Sequence, residues 1–145
     1  MKAKILKALL LGGLVSSSVL VANEALALCS DGRHPDVLAD LKASDMVVTA
    51  IVVSSHDESS SDDPQGVEDT IYTVRVLEVF KGKPDHLIKI TSENTSSRFP
   101  MDIGEKYLLF ITGDGQARFI DSCGRSGPVA DRAAEIQVLK KVGKS

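Results

Sequence analysis

The amino-acid sequence predicts a mainly β domain, a small antiparallel barrel or sandwich with a short helix before it and another at its end. Three observations lead there. Short β-branched and apolar runs recur with turn residues between them: 46–53 (MVVTAIVV), 71–80 (IYTVRVLEVF), 87–91 (LIKIT), 106–112 (KYLLFIT) and 117–120 (ARFI). In 71–80 the alternation slips from Leu77 to Phe80, the mark of the bulge or bend that a closed barrel needs. The two helical patterns stand at the margins of the strand region, not between strands.

Each element follows from its residues. In 34–45 (HPDVLADLKASD), a proline near the start and Val37, Leu38 and Leu41 at helical spacing predict a short helix. The run 46–53 is nearly continuous in β-branched residues, as in a strand buried for much of its length. Tyr72, Val74 and Val76 share one face of the second strand, with Thr73 and Arg75 on the other. Lys81-Gly82-Lys83-Pro84 turns the chain into the third strand. Gly113-Asp114-Gly115, tolerant of positive φ, joins the last two. Beyond Cys123, Pro128 opens a run to Val142 with Val129, Ala133, Ile136 and Leu139 on one face, an amphipathic terminal helix. Val47, Val52, Val74, Val76, Leu108 and Phe110 are the expected core, and Tyr107 joins them with its hydroxyl at the rim.

The stretch 54–69 (SSHDESSSDDPQGVED) reads differently. It holds six carboxylates and no lysine or arginine, and is expected to be a long, solvated, flexible loop.

Residues 1–27 are expected to be a cleaved secretory signal. Lys2, Lys4 and Lys7 form a basic start, 8–22 carries no charge, and Ala25-Leu26-Ala27 offers small residues for cleavage. The apolar run, diluted by glycines and serines, falls short of the ~20 residues of a membrane span. The expected location is therefore secreted or periplasmic. Leu28 is bulky for the position before a lipidated cysteine, which argues against a lipoprotein. Removing 1–27 takes away three lysines and one glutamate. It leaves a single domain at 28–145 with 14 basic and 19 acidic side chains, net −5. An acidic chain with scattered arginines argues against nucleic acid as the main partner.

Export places Cys29 and Cys123 in an oxidising compartment. An intramolecular disulfide is the favoured reading of that even count; two free thiols or an intermolecular bridge are the alternatives.

The inventory for catalysis is thin. No GxSxG surrounds a serine, no cysteine stands in a CxxC pair, and no glycine-rich phosphate loop precedes a helix. His34, His56 and His86 lie in separate turn-like stretches without metal-ligand spacing. A calcium loop counted from Asp57 places Asp62 where the sharp turn needs glycine. The expectation is a non-enzymatic domain with no cofactor and no bound metal.

The order of features resembles the netrin-module or TIMP-like family, in particular its small bacterial secreted members. It rests on a cysteine just after the signal, a short helix before "ASDMVVTAIVV", and a long polar loop. "YTVRVLEVFKG", "LIKIT", "GEKYLLF", "DSCG" around Cys123 and a terminal helix follow. The resemblance implies an OB-fold-like five-stranded antiparallel Greek-key barrel flanked by helices. It also implies that Cys29 tethers the N-terminal segment to the barrel through Cys123. The function it implies is interaction with a protein or surface ligand through barrel-edge loops, 54–69 and 92–104. Leu28, Cys29, Ser30, Asp57, Asp62, Asp63, Arg98 and Phe99 are the candidate binding residues. An alternative is metalloproteinase inhibition by the N-terminal segment, since inhibitors of this superfamily chelate zinc with the amine of an N-terminal cysteine. Cleavage after Ala27 leaves Leu28 in front, and the chain reads Cys29-Ser30-Asp31 where the inhibitors have Cys-x-Cys. A small metal-dependent hydrolase is the remote third reading.

Overall fold

The structure, a computed structural model, describes residues 35–63, 65–115 and 117–143. The expected signal, and Leu28, Cys29 and Ser30 with it, lie outside the described residues.

Helix α1 (Val37–Ala43) starts where Asp36 accepts from the backbone N–H groups of Leu38 and Ala39, satisfying donors that have no partner within the helix. It ends where the Ser44 hydroxyl donates to the Asp40 carbonyl at 2.8 Å. The strands are β1 (Met46–Ser59), β2 (Val67–Lys81), β3 (Leu87–Glu93), β4 (Lys106–Thr112), β5 (Phe119–Ile120) and β6 (Gly127–Pro128). A 3-10 turn at Val129–Asp131 leads into α2 (Ala133–Val142).

β1 pairs with β2, β2 with β3, β3 with β5, β5 with β4, and β4 returns to β1, closing a five-stranded OB-like barrel. β6 adds to the outside of the circuit through β4. All pairings are antiparallel except β3–β5, which is parallel through Thr91 and Phe119. Parity demands this. Directions alternate along β2–β1–β4–β5 and β2–β3, so a ring with an odd number of strands must contain one parallel pair.

Closure also needs strong local twist, which bulges supply. Val48 faces Val79 after Val47 faces Lys81, and Ala50 faces Val76 after Thr49 faces Glu78. Phe80 and Leu77 are therefore the extra residues on β2, within the stretch where the alternation slips. On β1 the extra residue is Val53, between Val52↔Val74 and Ser54↔Thr73.

Two apolar cores result. Met46, Val48, Ala50, Val52, Tyr72, Val74, Ile88, Ile90, Tyr107, Leu109 and Ile111 fill the barrel interior. The opposite faces of β1 and β4 contribute Val47, Leu108 and Phe110, which pack beneath Ile136 and Leu139 of α2, with Val37 and Leu41 of α1 against them. This is why 46–50 and 107–111 show little polar alternation: both of their faces are covered. Val76 is only half-buried, at the margin of the interior. Ala133, expected on the buried face of the terminal helix, is exposed. Among the described residues no helix is long and apolar enough to cross a membrane.

Candidate binding site

The segment between β3 and β4, 94–105, crosses one end of the barrel and plugs it. Tyr72 and Tyr107 rise from the interior, and their hydroxyls accept from the backbone N–H of Met101 (3.2 Å) and of Asp102 (3.0 Å). Met101 is buried between them and the core. The Phe99 N–H donates to the Ser92 hydroxyl at 3.0 Å, and its ring meets Tyr107 edge-on, centroids 6.2 Å apart at 71°. Burial pushes the Tyr107 hydroxyl above its ordinary pKa of 10.0, so it stays protonated across neutral pH while it accepts from Asp102. Phe99, a candidate binding residue, is thus half-buried as part of the plug. Its neighbour Arg98 is exposed, and its backbone N–H donates to the Thr95 carbonyl.

The acidic stretch departs from expectation. It is not a loop from 54 to 69: β1 continues to Ser59 and β2 begins at Val67, so only 60–66 connects them. The paired strands run on as a β1–β2 ribbon that β3 flanks on the β2 side as far as Asp69, and β1 is solvent-exposed from Val53 to Ser59. Backbone ladder bonds do not require apolar side chains, and ribbon formation proceeds from a barrel that already holds both strands in register. Several bonds brace it. The Thr70 hydroxyl donates to the Asp57 carboxylate (2.8 Å) at the root. Gly66 N–H donates to the Asp63 carbonyl (2.9 Å) at the tip, where the Asp63 carboxylate also accepts from the Gln65 N–H. Asp62 is exposed beside it, its N–H on the Ser60 hydroxyl at 3.3 Å.

A third region organises the chain's entry. Asp40 of α1, 9 % exposed, accepts from the Arg125 N–H at 2.6 Å. The Arg125 side chain donates from Nε to the Pro35 carbonyl (2.5 Å) and reaches Glu135 of α2 at 3.5 Å. Gly124 fits closely here: a Cβ would stand 3.0 Å from an Asp40 carboxylate oxygen and 3.1 Å from the Asp121 carbonyl, so either neighbour would have to give. Desolvation raises the Asp40 carboxyl above its ordinary 3.8, against the lowering effect of the Arg125 N–H. Cys123, one residue before, is not a free thiol. Its expected partner Cys29 lies outside the described residues.

Cavities are small. One of about 180 Å³ opens at the β3–β5 seam, lined by Thr91, Ser92, Glu93, Ser97, Phe119 and Ile120. Another, about 200 Å³, lies between Asp36, Val37 and Arg125 on one side and Ala134, Glu135 and Val138 on the other. Sites for drug-sized ligands and cofactors run to roughly 300–1,000 Å³, so these suit a single side chain at most. Among the described residues no three or more of His, Cys, Asp and Glu converge as metal ligands.

The candidate residues therefore divide. Asp57, Asp62 and Asp63 share the ribbon, whereas Arg98 and Phe99 belong to the barrel plug. The sequence reading missed the contacts of Asp40 and Arg125. Sequence carried a signal for one further miss: Asp63-Pro64-Gln65-Gly66 is a turn tetrad in the middle of two arms, and it marks a hairpin. No family model matches the chain, and no curated protein matches it.

Proposed function

We propose that this chain is an exported, non-enzymatic, TIMP-like interaction domain that binds a protein ligand through the β1–β2 ribbon. The observation that carries the reading is the ribbon itself. Its β1 arm, 53–59, is solvent-exposed throughout, and 54–69 gathers six carboxylates without a lysine or arginine. A protrusion that adds little to the core, yet is braced at root and tip, is preorganised, and preorganisation lowers the entropic cost of binding.

Export and a Cys29–Cys123 bridge belong to the same proposal. Pro35, six residues after Cys29, is held by Arg125, two residues after Cys123, which keeps the entering chain beside that cysteine. A closure spanning 94 positions would stabilise the domain by about 4 to 5 kcal/mol in the chain-entropy model.

The test is site-specific photo-crosslinking from Asp62 in the exporting cell, followed by binding measurements with the purified partner. The expected partner binds the native chain but not the variant Glu58→Gln/Asp62→Asn/Asp63→Asn/Glu68→Gln, and is indifferent to one extra residue before Cys29. Inhibition of a zinc endopeptidase that vanishes with the extra residue and ignores the ribbon changes would replace this reading with the inhibitor one. Metal-dependent turnover of a small substrate would sink both.

A further inference from the structure

The two margins of the ribbon differ. On the β2 side the edge is closed: Asp69 pairs with Glu93, Asn94 N–H donates to the Glu68 carbonyl at 2.8 Å, and the Asn94 side chain donates to the Val67 carbonyl at 2.9 Å. On the β1 side β4 covers only Met46 to Ile51. Val52 is the last to be met, exchanging bonds with Glu105 (3.1 Å) and Gly104 (2.9 Å). From Ser54 to Ser59, among the described residues, β1 has no strand on that side.

Six extended residues offer an edge of about 20 Å, with the N–H and C=O groups of alternate residues pointing outward. Proteins defend such edges with charge. Here the defence has one sign. Asp57 and Glu58 are the carboxylates of this edge, and a second copy laid so that they face their own counterparts is disfavoured, because like charges facing each other across a strand pair are unfavourable. The same charges attract a strand of opposite sign. Charge thus disfavours those self-pairings and favours a basic partner.

We propose that the open edge of β1 at 54–59 is a strand-addition site for an extended, lysine- or arginine-rich segment of a partner protein. The segment's backbone completes the ladder, and its basic side chains lie against Asp57, Glu58 and the carboxylates of the neighbouring strand. This rests on the interaction-domain reading and names the chemistry of its ligand.

The test uses the full mature chain and a synthetic nonapeptide of alternating valine and lysine. Two controls are the same peptide N-methylated at every residue, which keeps the charge but has no backbone donors, and an alternating valine–glutamate peptide. Amide exchange read residue by residue should slow at least tenfold within 54–59 on adding the Val–Lys peptide, with the effect weakening as salt rises. Neither control should protect these amides. Equal binding by the N-methylated peptide would overturn strand addition, reducing the contact to charge attraction while leaving the interaction domain standing. Absence of Val–Lys binding at low salt would also overturn it, as would protection of 54–59 that grows with protein concentration alone and so points to a second copy. Failure of the interaction-domain reading is separately visible, as loss of any ribbon-dependent crosslinked partner.

Discussion

Lys81 looks from the sequence like the first residue of a turn, but in the structure it holds helix α1 onto the barrel. Its ammonium donates to three carbonyls at the end of that helix: Leu41 at 2.9 Å, Lys42 at 3.1 Å and Ser44 at 2.5 Å. These are groups that a helix C-terminus leaves without internal partners, and a cation there also meets the negative end of the helix dipole. Lys81→Met keeps the aliphatic stem and removes the charge and all three donors. Net hydrogen bonds to charged groups contribute about 1.5–3 kcal/mol each, but three on one ammonium do not add, since in water it would be equally well solvated. A loss of about 2–3 kcal/mol is the reasoned figure, or roughly 10 °C in Tm for a domain of this size. Denaturant unfolding followed by circular dichroism should show a lower midpoint and an unchanged slope. Lys81→Arg should fall between, because a planar fork cannot converge on three carbonyls as a compact ammonium does. A Lys81→Met protein within about 0.5 kcal/mol of the native chain, the scatter of ordinary surface changes, would refute the assignment.

Three further outcomes are expected. Ser126→Ala removes the acceptor for the buried Phe110 N–H, a 2.8 Å bond, and should cost about 1–3 kcal/mol in equilibrium unfolding. Gly113→Ala should be worse tolerated than any exposed substitution, because its φ of +87° is unfavourable for alanine and the new Cβ collides with the Ala117 carbonyl oxygen; thermal melting of the purified variant checks it. Asp40 gives a pH signature. Its folded pKa is raised above the ordinary 3.8, so the folded state holds the proton more tightly; this stabilisation is complete below 3.8 and is lost as pH rises through the raised value. Asp40→Asn, which retains an oxygen for the Arg125 N–H, should remove that dependence and leave the neutral-pH stability equal or slightly higher, read from urea midpoints between about pH 3 and 7.

What sequence conveys about this fold follows from where burial is periodic. The strands of the barrel are legible because Tyr72, Val74, Ile88 and Ile90 alternate with polar neighbours and Val47, Leu108 and Phe110 do not. That difference separates singly covered strands from those lying under helices. The slip at Leu77–Phe80 is legible for the same reason, since a bulge shifts the face of every later side chain. The ribbon is hidden because β1 from Val53 on is specified by backbone pairing with β2 and its own side chains are exposed on both faces, while the burial in that pair falls on Thr70 and Tyr72 of β2. The contacts of Lys81, Arg125 and Asp40 are hidden for another reason. Each joins residues far apart in the chain to backbone groups, and no local pattern encodes a carbonyl's need for a donor.

The division of labour between the two halves of the β1–β2 pair has a physical consequence for recognition. Up to Val52 every residue of β1 is committed: inward side chains fill the barrel, outward ones lie under the helices or pair with β4, and substitution there is felt as lost packing. Beyond the bulge at Val53 the same strand is free of such obligations, save for Asp57, whose carboxylate accepts from the nearly buried Thr70. The bulge marks where one continuous strand passes from core element to exposed edge. β4 begins opposite Ile51, and the chain before it last meets β1 at Val52 through Gly104 and Glu105, so among the described residues no strand lies alongside 54–59. The barrel can therefore hold the ribbon rigid without dictating its sequence. Asp57 and Asp63 use their carboxylates to brace the ribbon, so the charge left to choose a partner is chiefly that of the exposed Glu58, Asp62 and Glu68.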